Sequence, residues 1–377
     1  MEIDTALDFD GAPGLGPGAL VRALAYPSLV GVPGVGERVL LNVTALARGL
    51  GTGGYALVVA PTGPLPPDPP PSPGHLVKAR YTPLQTMVLG VDDQESEHHD
   101  TLRDADDLAG LPVVVADLHS ALPAIVAGAR LGAALNGRPA PRVAYLMTDG
   151  GALPAGFSRT VAALADAGWI EACITIGQAF GGDLEAVTVQ TGLLAARLVV
   201  GADLVVVAQG PGNLGTGTRW GFSGVAAGEA INAAAVLGGR PVASLRVSGA
   251  DARERHRGVS HHSLTAYGRV ALVPADVVVP VFASASTLGP RGSDGTRALA
   301  ARSLEALGRR IREQALTLVA PCGRHRLVEV DAGEHLLAAL AGAPVQLSTM
   351  GRGLAGDPAA FLAAGVAGVH AQALTAL

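Results

Sequence analysis

From residue 111 onward, short β-branched apolar runs alternate with alanine-rich segments, and this rhythm constrains the fold more than any other feature of the 377 residues. The runs are Pro112–Ala116, Arg142–Met147, Ala172–Ile176, Asp203–Val207, Val242–Arg246 and Asp276–Pro280. Most of these runs lack the polar alternation of a half-exposed strand. A strand apolar on both faces belongs in a parallel sheet covered by helices on either side. The spacing, about 30 residues from one run to the next, leaves room for one crossover helix each time. The tail repeats the pattern with Arg326–Val330, a helix near His335–Leu340 and a further run at Val345–Thr349. The expected fold is therefore α/β, a mainly parallel doubly wound sheet.

The first part of the chain reads differently. Ala19–Leu24, Arg38–Val43 and Tyr55–Ala60 are β-type runs cut by glycine at short intervals, which predicts a small antiparallel sheet or barrel. Residues from Pro61 to Pro73 are proline-dense and suit an extended linker. The expected organisation is a small β domain with its linker over 1–75 and an α/β domain over 76–377. Thr86–Val91 is strand-like, and an acidic, histidine-containing loop follows from Asp92 to Asp107.

Composition removes several classes of function. A net charge of −5 gives no reason to expect nucleic acid. No apolar run reaches the roughly 20 residues of a membrane helix. The N-terminus is acidic and lacks the basic start of a signal peptide, so a cytoplasmic location is expected. Cys173 and Cys322 are too few for a disulfide framework; Cys173 reads as a core thiol, Cys322 as the more reactive candidate. Lys78 is the only lysine, far from any phosphate loop, which argues against Schiff-base chemistry and a P-loop nucleotidase. So apolar a chain is expected to self-associate as a homodimer.

The fourth run ends in a glycine loop, Gly210-Pro-Gly-Asn-Leu-Gly-Thr-Gly-Thr218, before an alanine-rich helix expected over Gly224–Leu237. Strand, glycine loop and helix together can hold an anion, since backbone N–H groups converge there and the helix start adds donors. Gly212, Asn213, Gly215, Thr216 and Thr218 are the candidate ligand-binding residues. The spacing Gly210-x-Gly212-x-x-Gly215 matches a dinucleotide fingerprint, but Pro211 is foreign to it and the following acidic residue is missing. A tight packing turn is the alternative reading.

Ligands of open α/β sheets sit beyond the carboxyl ends of the strands, and here those ends are polar: Asp117, His119 and Ser120; Thr148 and Asp149; Gln178 to Asp183; Gln209; Ser248 to Asp251. Each alone serves equally as a cap or turn former. A second cluster runs from Asp251 through Arg253, Glu254, Arg255, His256 and Arg257 to Ser260, His261, His262 and Ser263. Arginine binds carboxylate or phosphate in bidentate fashion, and histidine transfers protons or ligates metals near neutral pH. Asp117, His119, Asp149, His261 and His262 are the candidate catalytic groups. Gln178, Gln209, Asp251, Arg253 and Arg255 join the ligand-binding set. If the His pair is extended, its two side chains point to opposite sides and one of them reaches a given ligand. A divalent metal on Asp117 and His119, completed by Asp149 and one of the His pair, is conceivable without a recognised ligand motif. A serine nucleophile has little support, because Gly221-Phe-Ser223-Gly224 is not a nucleophile elbow; Ser223 reads as a helix cap.

Several longer segments together resemble a known family. Lys78-Ala-Arg-Tyr-Thr-Pro-Leu-Gln85, Met147-Thr-Asp-Gly-Gly-Ala-Leu-Pro154, Gly177-Gln-Ala-Phe-Gly-Gly-Asp183, Gly210–Thr218 and Gly258-Val-Ser-His-His-Ser263 are similar to the bacterial family of unknown function numbered 3866. The resemblance spans roughly residues 20–350 and implies a bacterial protein that needs no membrane. It implies no substrate and no catalytic residue. From the residues themselves, the leading expectation is an enzyme, a hydrolase or transferase, acting on a small anionic metabolite held by the Gly210–Thr218 loop. The alternatives are a ligand-binding or regulatory protein without chemistry, and an assembly protein.

Overall fold

The computed structural model describes residues 1–7, 15–50, 53–63, 70–282, 294–319 and 324–375, of which 294–302 as backbone alone. Cys322 and the middle of the proline-dense stretch lie outside the described residues. The chain forms two compact units, Met1–Leu89 and Gly90–Leu377.

In the first unit, β1 (Glu2–Ala6), β2 (Leu20–Leu24), β3 (Val39–Asn42) and β4 (Ala56–Pro61) form one sheet in the order β1-β2-β4-β3. The β1/β2 and β3/β4 pairs are antiparallel, but β2 and β4 are parallel. The sheet is thus mixed and open, not the antiparallel sheet or barrel expected. The chain passes first to the outer edge as β3 and turns back as β4, which then runs alongside β2 in the same direction. Leu7, Val21, Ala23, Ala25, Val30, Ala56 and Val58 make its core. A hairpin of β5 (Leu76–Lys78) and β6 (Thr86–Val88) closes the unit, so the strand expected over Thr86–Val91 stops at Val88.

The second unit holds β7 (Pro112–Ala116), β8 (Val143–Thr148), β9 (Ala172–Ile176), β10 (Leu184–Ala186), β11 (Leu204–Gln209), β12 (Arg240–Ser244), the short pair β13 (Val247–Ser248) and β14 (Gly258–Val259), then β15 (Asp276–Val281) and β16 (Arg326–Asp331). Eight of them form one sheet in the order β10-β9-β8-β11-β7-β12-β15-β16, parallel throughout. Its strands are apolar runs because both faces are covered; Val113–Val115, Val205–Val207 and Val277–Val279 lose almost all contact with solvent. Seven of these eight strands lie within two residues of the runs read from the sequence. The run at Val345–Thr349 does not join the sheet. Only Ser348–Thr349 is extended, paired with Arg352–Gly353 in a tight hairpin.

Helices α1 (Leu122–Leu135), α2 (Arg159–Asp166), α3 (Val189–Leu198), α4 (Ala226–Val236), α5 (Asp294–Val319), α6 (Glu334–Ala341) and α7 (Pro358–Leu374) connect and cover the strands. From β7 the chain travels to β8 and on to the β10 edge; from β12 it travels to β15 and the other edge. Right-handed crossovers in opposite directions put their helices on opposite faces. α1 packs with α6 and α7 on one face, and α3 with α4 on the other. α1 and α7 touch backbone to backbone. A Cβ added at Gly128 would lie 1.9 Å from Gly365 O, and one at Gly368 would lie 1.9 Å from Ile125 O. Because β7 and β12 are neighbours whose connections diverge, a crevice opens between their carboxyl ends, the usual place for a ligand in this architecture.

Candidate functional site

A cleft of about 410 Å³ occupies that crevice. Its walls come from four places: Leu118–Ser120 after β7, Pro211–Gly215 after β11, the segment after β12 with Arg246, Arg253, His256 and His262, and Ser348–Met350 of the late hairpin. Ser120 Oγ donates to Thr349 Oγ1 at 3.0 Å and ties the hairpin to the end of β7.

Asp117, where β7 ends, is 3% exposed and lines a smaller pocket that adjoins the cleft through Ser120, Arg246 and Thr349. Burial pushes its carboxyl up to about 6, while Arg246 and the Ser263 hydroxyl hold it partly down. Ser263 Oγ donates to Asp117 Oδ2 at 3.4 Å and accepts from Arg246 N at 2.9 Å. β12 itself ends at Ser244, two residues earlier than the apolar run suggested, which frees Arg246 to turn into the cleft. Its Nη1 donates to His262 Nδ1 at 3.1 Å. Arginine cannot accept, so that His262 nitrogen carries a lone pair.

The segment 256–263 gathers three imidazoles. His261 and His262 are not extended neighbours pointing apart. They begin a short helix, His261–Thr265, whose N-cap Ser260 accepts from His262 N, and their ring centroids are 4.3 Å apart. The His256 centroid lies 5.0 Å from that of His261 and 5.1 Å from that of His262. His256 Nδ1 is bound to Ser260 Oγ at 2.8 Å, and His262 stacks flat on Phe222 at 3.8 Å. His261 Nε2 is buried without a hydrogen-bond partner. One ring nitrogen from each histidine comes within 4.8 Å of those of the other two. Burial first, then the neighbouring arginines, pull His256 down to about 4 and His262 down to about 3, and lower His261 as well. All three are neutral at physiological pH.

Below the cleft runs an ionic brace. Asp251 takes Arg253 Nε and Nη2, each at 2.9 Å, and also Arg352 Nη2 at 3.4 Å; hydrogen bonds from Arg253 are the main reason its carboxyl sits far below the usual range. Arg352 also reaches Asp357 at 3.3 Å, and Asp357 accepts from Ser248 Oγ and from Gly249 N at 2.9 Å. Arg253 is thus pre-aligned, with a guanidinium that still lines the cleft.

A family model described as "Protein of unknown function (DUF3866)" matches residues 22–368. The chain belongs to that family. No curated protein and no solved structure matches the chain. The matched span contains every wall of the cleft.

Within this DUF3866 fold the residues singled out from the sequence separate into groups. Asp117, Arg253, His262, Gly212, Asn213 and Gly215 meet in or beneath the cleft, and His261 joins through its ring contacts. His119 also borders the cleft, but both its nitrogens are engaged, Nδ1 with Tyr145 Oη at 3.0 Å and Nε2 with Ser158 Oγ at 2.7 Å. It braces the interior beside Asp117, and the metal set built on that pair is not what the fold assembles. Asp149 accepts from Gln178 N at 2.9 Å, away from the cleft walls. The glycines behind Asp149 serve packing, since a Cβ at Gly151 would lie 2.1 Å from Gly210 O. Gln209 donates to Asn213 Oδ1 and so shapes the glycine loop.

That loop is a small hairpin-like excursion, with Gly215 bridged to Phe222, and not a direct step into a helix. Thr216 and Thr218 hydroxyls bond each other at 3.2 Å, and Thr218 Oγ1 accepts from Gly221 N. Ser223 Oγ accepts from Leu214 N rather than capping α4, which begins only at Ala226. Arg255 Nη2 approaches the loop tip, 4.0 Å from a Cβ placed at Gly217. The residues that sequence reasoning missed are Arg246 as a cleft group, Phe222, Arg352 and Asp357. Arg246 was visible only as the last residue of an apolar run. The other three carry no local signal. Among the described residues, no helix is long and apolar enough to cross a membrane.

Proposed function

We propose that the cleft binds a small anionic metabolite and that the protein is an enzyme acting on it, a hydrolase or transferase. One observation carries the reading: the cleft walls contain Arg246 and Arg253 and no aspartate or glutamate. Further arginines, Arg219 and Arg255, are close enough to depress His261. Asp251 already offsets much of the Arg253 charge, so Arg246, with Arg219 and Arg255 nearby, supplies most of the attraction for phosphate or carboxylate in this partly enclosed cleft. The chemistry would fall to Asp117, poised near 6 and so able to give or take a proton at neutral pH. The neutral imidazoles beside it add uncharged nitrogen donors and acceptors.

The test is calorimetric titration of the full chain with inorganic phosphate, then with a panel of phosphorylated and carboxylated metabolites. Binding is expected, weakened at least tenfold by Arg246→Gln and by Arg253→Gln. Absence of any anion binding, or equal binding by both variants, would overturn the reading. Mass spectrometry of the bound metabolite after incubation then decides catalysis, and Asp117→Asn is expected to abolish conversion. Recovery of the metabolite unchanged would reduce the protein to a binding module.

A further inference from the structure

We infer that His256, His261 and His262 form a three-nitrogen centre for one zinc ion, filled together with the anion of the cleft. The inference rests on the anion reading for the fourth ligand. The three ring nitrogens already lie within 4.8 Å of one another. A zinc ion holds imidazole nitrogens at 2.0–2.1 Å, so three of them stand about 3.3 Å apart around it. Modest rotation of side chains closes that difference.

Each histidine has a defined role. His261 Nε2 is buried and bonds nothing, a ligand atom with its lone pair unspent. His256 is fixed through Nδ1 by Ser260 Oγ, which leaves Nε2 to ligate. Ser260 also accepts from the His262 backbone N–H, so one buried hydroxyl orients the His256 ring and fixes the helix start that carries His261 and His262. His262 presents Nδ1 as a lone pair because Arg246 donates to it. Zinc takes that lone pair in place of Arg246, whose guanidinium then turns to the anion. A set of three imidazoles without a carboxylate suits zinc and not magnesium or calcium.

The arginines set the condition for filling. Arg246, Arg253, Arg255 and Arg219 all act on the His261 ring, and they oppose a lone dication there. An anion in the open fourth position offsets that field and meets the arginines at the same time. Metal and anion are therefore expected to bind cooperatively, each strengthening the other by the same factor.

The experiment uses the full chain stripped of metal and titrated with Co²⁺ as the spectroscopic substitute for zinc, with and without inorganic phosphate, and native mass spectrometry for stoichiometry. One Co²⁺ per chain is expected, with intense tetrahedral visible bands and at least tenfold tighter binding when phosphate is present. His261→Ala should abolish binding and leave the melting temperature of the metal-free protein unchanged, because it removes no hydrogen bond. Arg246→Gln provides a second variant of opposite sign: it frees His262 Nδ1 and should tighten Co²⁺ binding without phosphate while removing the cooperativity. Failure to bind one Co²⁺ under either condition, or unchanged binding in His261→Ala, would overturn the centre. Phosphate binding of equal strength with and without Co²⁺ would overturn the coupled centre and leave the anion reading standing.

Discussion

Asp117 should make the folded protein less stable as it ionises, and the size of that effect can be worked out. Its carboxyl is raised from 3.8 to about 6, chiefly by burial. The folded state therefore holds the proton more tightly than the unfolded chain, and stability must fall as pH rises between those two values. A shift of about 2 pH units at 1.36 kcal/mol per unit is about 3 kcal/mol. The perturbation is Asp117→Asn, which keeps the shape and an acceptor for Ser263 but cannot ionise. The assay is urea unfolding of both proteins at half-unit steps from pH 4 to pH 8. Every other titrating group is common to the two, so the difference between the curves isolates Asp117. Well below pH 3.8 the difference reports only the exchange of hydroxyl for amide, and at pH 4 a small part of the Asp117 effect is already present. By pH 7 the variant should have gained about 3 kcal/mol on the native protein, and the difference should then level off. A stability difference that is flat across this range, or that moves the other way, would refute the claim that a strained buried carboxyl sits under the cleft.

Other consequences are as direct. Gly128→Ala should cost about 3 kcal/mol or more, because the new methyl would strike backbone and not a movable side chain; Gly156→Ala, with nothing within 4 Å, should be close to neutral in the same thermal melts. The neutral histidines stabilise the fold above pH 6.5, and that contribution is lost as pH falls toward about 4 for His256 and about 3 for His262. Urea midpoints should accordingly drop below pH 6, and His262→Gln should flatten the drop. Asp276 accepts from His370 Nε2 at 2.7 Å and is held by Arg326; these bonds outweigh burial and bring its carboxyl down to about 2. Its ionised form stabilises the fold above pH 4 and loses that effect as pH falls toward 2. Asp276→Asn should cost roughly 1–2 kcal/mol at pH 7 once solvent screening is allowed for, and most of that cost should be gone at pH 2. Burial pushes the Cys173 thiol up to about 12, so peptide mapping after alkylation of the folded protein should find it unmodified.

The parallel sheet was legible because burial on both faces leaves an unambiguous mark: Pro112–Ala116 and Ala172–Ile176 match their strands residue for residue. The extra strand Leu184–Ala186 left no such mark, being three residues long with a glutamate in the middle. Strand ends drew attention to the region where the cleft lies, because ligands of open α/β sheets sit beyond the carboxyl ends. They could not say which ends converge, since convergence follows from strand order, and β11 slips between β8 and β7 without any local signal. Asp149 and Asp117 looked alike in sequence; the order of strands sets Asp117 under the cleft and Asp149 against the backbone of Gln178. The threonines of the glycine loop looked like ligand donors, yet they answer each other's hydrogen-bonding needs. His261 and His262 were expected to point apart because a strand geometry was assumed. A serine N-cap turned the chain into a helix there and brought both rings to one cluster.

The late hairpin has a consequence for how such a protein comes into being. Ser120 and Thr349, which meet across the cleft, are separated by 229 residues of chain, and Ser248 waits 109 residues for Asp357. On a ribosome adding roughly 5–20 residues per second, the strands β7, β11 and β12 emerge well before Arg352 can reach Asp251 or α7 can seat its glycines on α1. During that interval the arginines and histidines of the site stand on an unfinished frame, with the face that α7 shares with α1 only partly covered. The cleft is thus the last part of the molecule to become whole, and a chain stalled before residue 345 would carry the sheet but lack the Ser348–Met350 wall of the cleft.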